Sequence, residues 1–167
     1  MKISLASSKG WRLREAPFPF QQTYVTPLTD LSRFVHALLA PFEISTAEIW
    51  IEQIIFKPEE LIDYLSSHGI TTDEGALNRA VIHAEDGSEA ATLLECVLSQ
   101  WTDFAFIPSP KKFVIYADHD EFTTVFMASD QLLASLRSDM KLQGFKAVDD
   151  WWSWTGPRSP GRIEEGK

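Results

Sequence analysis

Phe104-Ala105-Phe106-Ile107, then Phe113-Val114-Ile115-Tyr116, then Phe122-Thr123-Thr124-Val125-Phe126-Met127 form three closely spaced runs of β-favouring residues. Turn-forming residues separate them, so each reads as a β-strand. The second and third runs are expected to make a hairpin. Their connection, Ala117 to Glu121, is polar, as a solvated reversal of the chain requires.

Helical patterns flank these strands. Before them, Ala91, Leu94, Val97, Leu98 and Trp101 share one face of an expected helix over Ser88 to Trp101, with Ser88 as its cap and Cys96 inside it. After them, Ser129 caps a helix carrying Leu132, Leu133, Leu136 and Met140, which ends at Gly144 with Phe145 behind it. A last strand is expected within Phe145 to Trp152.

Further upstream, Leu28, Leu31, Phe34, Val35, Leu38 and Leu39 make an apolar stripe over Pro27 to Ala40. Thr26 is placed to cap that helix and Pro41 to stop it. Ala47 to Phe56 opens on a capping-box pattern, Ser45 with Glu48, but Ile49, Trp50, Ile51, Ile54, Ile55 and Phe56 favour a strand, which is the reading adopted. Pro58-Glu59-Glu60 then opens a short helix that His68-Gly69 closes. Residues 71–84 fit a helix by the spacing of Leu77, Ala80, Val81 and Ala84, and a strand by Val81-Ile82 before Asp86-Gly87. The opening, through Ala16-Pro17-Phe18-Pro19-Phe20, has no helical period, and its prolines impose an extended path.

This order implies an α+β fold: an antiparallel or mixed sheet with a β-hairpin, covered by about four helices. The expected organisation is a single domain over residues 1–155 with an extended N-terminal arm, followed by a flexible, breaker-rich tail over 156–167. The 167 residues, 44% of them hydrophobic, suit one core, and eleven Phe, six Trp and three Tyr supply large apolar side chains for it.

Charge is unevenly distributed. Residues 1–29 carry net +3, residues 30–150 carry −13, and the remainder carries +1, for a total of −9. A body of that charge repels phosphate, which disfavours a broad nucleic-acid surface and favours a basic protein partner. No apolar run approaches the roughly 20 residues of a membrane span. The start has no continuous apolar stretch of a secretory signal, and the lone Cys96 allows no internal disulfide, so a cytoplasmic location is expected.

Asp118-His119-Asp120-Glu121 is the one dense cluster of ionisable groups. As a binding surface it offers Asp118, Asp120 and Glu121 as electrostatic contacts. In an enzyme, His119 would serve as base or metal ligand, Asp118 or Asp120 as its orienter and Glu121 as acid or ligand. His83, beside Glu85 and Asp86, could complete a metal site with His119 and Asp118 if folding brought them together. The competing expectation is that both clusters are solvated turns. No zinc, calcium, phosphate-loop or serine-elbow pattern occurs, and neither catalytic residue nor cofactor is assigned. Asp149-Asp150-Trp151-Trp152-Ser153-Trp154 is the second unusual stretch, and alternation puts Trp152 and Trp154 on one side. Trp152 is either an apolar anchor for a partner or is covered by the tail or the N-terminal arm.

The expected function is therefore that of a non-catalytic acidic protein-binding domain. In size and acidity, and in no motif, the chain resembles the broad class of bacterial immunity proteins. That resemblance implies inhibition of a basic toxin or nuclease and transfers no residue roles. The alternatives are a metal-dependent hydrolase using Asp118 to Glu121, and a structural subunit of an assembly.

Overall fold

A strand that sends large apolar side chains to both faces needs cover on both, and the three central runs are of this kind. The structure, a computed structural model, describes residues 1–5 and 18–149. Within them the strands are β1 (Lys2–Leu5), β2 (Phe20–Val25), β3 (Thr46–Gln53), β4 (Ala80–Ala84), β5 (Asp103–Ser109), β6 (Phe113–Ala117), β7 (Phe122–Met127) and β8 (Ala147–Val148). They form one open eight-stranded sheet in the order β1-β4-β3-β5-β6-β7-β2-β8. Every pairing is antiparallel, which removes the mixed alternative.

Five α-helices accompany the sheet among the described residues: α1 (Leu31–Leu39), α2 (Glu59–Ser67), α3 (Glu74–Leu77), α4 (Gly87–Ser99) and α5 (Asp130–Leu142). Their buried residues join one face of the sheet in the main core. Phe34, Leu38, Leu61, Leu94, Val97 and Leu136 pack there with Ile49, Ile82, Phe104, Phe106, Ile115 and Met127. Phe34 meets Phe145 edge-on at 5.2 Å, so the residue behind Gly144 closes this core as its sequence position suggested. The other face carries a smaller cluster of Phe18, Ala105, Val114, Tyr116 and Phe126, bordered by Trp50 and Ile107. None of the described helices contributes to it. No helix of the described residues is long and apolar enough to cross a membrane.

Local differences from the sequence expectations have identifiable causes. The first helix starts at Leu31 after a 3-10 turn over Leu28–Asp30, and Thr26 does not cap it. The Thr26 hydroxyl instead bonds that of Thr123 at 2.8 Å, tying the end of β2 to β7. Asp86, not Ser88, caps α4, its carboxylate accepting from the Glu89 N–H at 2.8 Å, while Glu89 reaches back to the Glu85 N–H at 2.7 Å. Helix α4 stops at Ser99, and Trp101, at φ +51°, turns the chain into β5. Residues 71–84 contain both alternatives in turn, the one-turn helix α3 capped by Asp73 and then β4. The opening holds two strands that its composition concealed, β1 and β2. Residues 6–17 of the expected arm and the tail over 156–167 lie outside the described residues.

Two substitutions test this account by urea denaturation. Phe106→Ala, in the main core, is expected to cost about 3–5 kcal/mol. Asp86→Ala should cost about 1 kcal/mol and Ser88→Ala markedly less, and the reverse ranking would restore Ser88 as the cap.

Candidate functional site

The ladder sorts the second face of the sheet into rows. One row is apolar to polar, running through paired residues Ser4, Val81, Trp50, Ala105, Tyr116, Thr124 and Thr23. Two residues further along β5 and β6, one step past the Phe104–Ala117 pair, Asp103 and Asp118 fall across from each other. Glu52 joins them from β3, where the pairing shifts between Ile51 and Gln53 and leaves Glu52 as an extra residue in a bulge. Asp120 and Glu121 complete the acidic end in the β6–β7 turn.

Like charges opposed across a ladder destabilise it, so the end needs a counter-group. His119 provides one. Its backbone N–H donates to Asp103 Oδ1 at 3.0 Å and its ring Nδ1 lies 2.9 Å from the same oxygen. A carboxylate only accepts, so Nδ1 carries hydrogen and Nε2 faces away from Asp103, 4.0 Å from Asp120 Oδ1. The hydrogen bond to Asp103 raises the imidazole above its usual range. Asp118 Oδ1 accepts the Asp120 N–H at 3.0 Å, an Asx turn that shapes the reversal. Glu121 adopts φ +66°, left-handed for a non-glycine residue, and its carbonyl accepts the Thr26 N–H at 2.9 Å.

The carboxyl groups here are not all comfortably ionised. Loss of hydration raises Asp118, and the charges of Asp120 and Asp103 add to this against the Asp120 N–H. Glu52 is raised by loss of hydration and then by Asp103. The Glu52 side chain is exposed, so its dehydration is only partial. The buried Tyr116 phenol, just inside the row, is raised first by burial and then by Glu52, Asp118, Asp103 and Asp120.

The sequence cluster Asp118, His119, Asp120 and Glu121 thus stays together at one end of the sheet. The residue that orients His119 is Asp103, rather than Asp118 or Asp120. Neither Asp103 nor Glu52 was visible as a site residue, although pairing of the hairpin with the preceding strand puts Asp103 opposite Asp118. His83 is elsewhere. It sits on β4, three strand spacings or about 14 Å from β6, and paired with Glu48 rather than near the acidic end. Its ring nitrogens face Glu48 at 3.5 Å and Ser4 at 3.0 Å, and Glu48 also accepts from Trp50 Nε1 at 2.8 Å. That network accounts for His83 on structural grounds. Among the described residues no three His, Cys, Asp or Glu side chains converge as metal ligands. Cys96 is half-buried in α4, where burial pushes its thiol up to about 11, against a nucleophilic role at neutral pH. Trp152 lies outside the described residues.

The acidic end also has apolar margins. At the end of β3, Ile55 and Phe56 are 40% and 55% exposed, and Leu28, just past β2, is 42% exposed. All three lie at the end of the sheet that carries Asp103 and Asp118 to Glu121. β3 and β2 stand four strand spacings apart, so the margins are separated by about 19 Å. No protein-family model, curated protein or solved structure matches the chain.

Two pH effects follow, of similar sign and different origin. The Asp103–His119 contact stabilises the fold fully below the ordinary imidazole value of 6.5 and is lost as pH rises through the raised folded value. Asp103→Asn should therefore bring the His119 midpoint down in an NMR titration, and an unmoved midpoint would remove Asp103 as its partner. Glu52, raised in the fold, favours the folded state below its ordinary value of 4.5 and opposes it once ionised. Glu52→Gln should raise the urea midpoint at pH 7 and leave it unchanged near pH 3; equal effects at both would point to packing instead.

Proposed function

We propose that this chain is a protein-binding domain whose acidic sheet end receives a basic protein. The observation that carries the reading is the opposition of Glu52, Asp103 and Asp118 at a ladder end with His119 as counter-group. Glu52 and Asp118, held above their usual range, gain most from an incoming cation, because a Lys or Arg side chain relieves the like-charge repulsion already present. The −13 charge of residues 30–150 extends the attraction over the approach path. Phe56 and Ile55 supply the apolar contact that charges alone lack, since aromatic side chains are enriched where interfaces are buried. The finer form proposed is inhibition: a rigid sheet end presenting carboxylates would fill the cationic cleft of a nuclease-like toxin and exclude its substrate.

A second reading is favoured by one observation, the Asp103–His119 pair. An imidazole fixed through Nδ1 with Nε2 directed outward has the arrangement of a general base. It would abstract a proton from a substrate hydroxyl or water at Nε2, with Asp103 stabilising the resulting imidazolium.

Affinity capture from the native cell at low and moderate salt separates these readings. The wild type should retain a basic protein that the Asp118→Asn, Asp120→Asn, Glu121→Gln variant loses. With that protein in hand, the triple variant should associate at least tenfold more slowly at low salt, and Phe56→Ala should mainly speed dissociation. Absence of any carboxylate-dependent partner would falsify the binding reading. A hydrolytic activity abolished by His119→Gln would support the general-base reading in its place.

A further inference from the structure

Tyr116 is 5% exposed, yet among the described residues no hydrogen bond reaches its hydroxyl. A buried phenol ordinarily finds a partner for its polar tip. Four carboxylates act on this one, in falling order Glu52, Asp118, Asp103 and Asp120, and none of them takes its hydrogen. All four stand at the acidic end of the sheet, so the phenol points along β6 towards that end. Asp118 lies two residues further on the same strand and face, about 7 Å along it.

The neighbouring carboxylates differ in what they still have to offer. Asp103 Oδ1 accepts both bonds from His119. Asp118 Oδ1 accepts the Asp120 N–H, and its other oxygen has no partner among the described residues. Glu52 makes no hydrogen bond or ion pair there, and no described Lys or Arg is paired with any carboxylate of this end. Three acceptors are therefore unused: Glu52, one oxygen of Asp118 and the phenol oxygen of Tyr116. Glu52 and Asp118 come from β3 and β6, two strand spacings or about 10 Å apart, and among the described residues no three carboxylates or imidazoles converge closely enough for a metal ion. An organic cation spans more, because each N–H···O contact is about 2.7–3.2 Å from nitrogen to oxygen. A guanidinium is a flat fork suited to both oxygens of one carboxylate, whereas an ammonium carries three N–H donors on one atom and suits three separate acceptors.

We propose that the acidic end holds a site for a primary ammonium group, seated between Glu52 and Asp118 on the hydroxyl of Tyr116. This rests on the binding reading and names the group that enters: the side chain of a lysine on the partner. The phenol stays protonated, since burial and the surrounding carboxylates raise it, so it accepts one ammonium N–H and turns its own hydrogen to a carboxylate. Asp103, fixed by His119, lends charge from behind. Asp120 and Glu121, in the turn beyond, draw the cation in without holding it.

The test is an NMR titration of the full chain at moderate salt with Nα-acetyl-lysine amide, beside Nα-acetyl-arginine amide. The lysine probe should shift the amide signals of Glu52, Tyr116 and Asp118. Tyr116→Phe keeps the ring in its cluster and removes one hydrogen bond, so it should weaken the lysine probe about three- to tenfold and leave the arginine probe unchanged. Glu52→Gln should weaken the lysine probe at least as much, while Asp120→Asn with Glu121→Gln should cost less than about twofold at that salt. A lysine affinity indifferent to Tyr116→Phe overturns the proposal, as does equal weakening of both probes or a larger loss from the Asp120 and Glu121 pair. Each of those results leaves the binding reading standing if affinity capture still retains a carboxylate-dependent basic protein. The free amine 1,4-diaminobutane separates the two sources of an ammonium group: binding more than about tenfold tighter than the lysine probe overturns a partner's lysine as the occupant.

Discussion

Burial of β5, β6 and β7 on both faces is the constraint from which the rest of the structure follows. Phe104, Phe106, Ile115 and Met127 point one way, and Ala105, Val114, Tyr116 and Phe126 the other. Burying a large apolar side chain is worth roughly 1.5–3 kcal/mol. Val114, Tyr116 and Phe126 together are then worth about 5–9 kcal/mol, comparable with the 5–15 kcal/mol that hold a whole domain folded. Leaving the second face wet would consume most of that margin. Every described helix packs on the side of Phe104, Phe106, Ile115 and Met127, so none of the described helices covers the second side.

The same alternation that makes the second face apolar in its middle makes it acidic at one end. Tyr116 and Asp118 are two residues apart on β6 and so share a face, as Ala105 and Asp103 do on β5. A carboxylate one pair further inward would be enclosed without water. At the ladder end it retains some water, and His119 can bend back through the Asx turn to meet Asp103. The bulge at Glu52 adds a carboxylate where straight pairing would have left two strands rather than three contributing to the row.

Legibility in the sequence follows how local each determinant is. The β6–β7 hairpin was readable because Phe113 to Met127 contains both strands and the polar reversal between them. Strand β2 was not, because Gln21, Gln22 and Thr23 break the apolar pattern and are satisfied from far away. Gln22 accepts from Arg137 Nε at 2.6 Å and donates towards Asp149, and the Thr23 hydroxyl bonds that of Thr124 at 2.9 Å. Strand β1 is four residues long and alternates Lys2 and Ser4 with Ile3, too short a pattern to separate from a loop. In the candidate site the contiguous Asp118 to Glu121 was visible as a cluster, while Asp103 and Glu52 depended on the order of strands. The proximity of His83 was conditional on the same order, and β3 and β5 intervene.

Placement of the acidic row also limits how a partner could engage it. Tyr116 marks the boundary: its phenol is pushed upward by burial and then by four carboxylates, so it stays protonated and can donate, while its ring belongs to the apolar cluster. A basic side chain entering from the sheet end meets Asp118, Asp120 and Glu121 before it reaches Asp103, which is buried and already occupied by His119. In the proposed binding reading, the outer carboxylates would therefore govern approach, and the inner pair would govern the cost of closing on the site. A cation close enough to displace His119 from Asp103 would have to replace two hydrogen bonds to one oxygen, the ring's and the backbone's. On such a proposed surface, specificity would come from the spacing of the outer carboxylates relative to Phe56, while net charge alone would supply only the encounter.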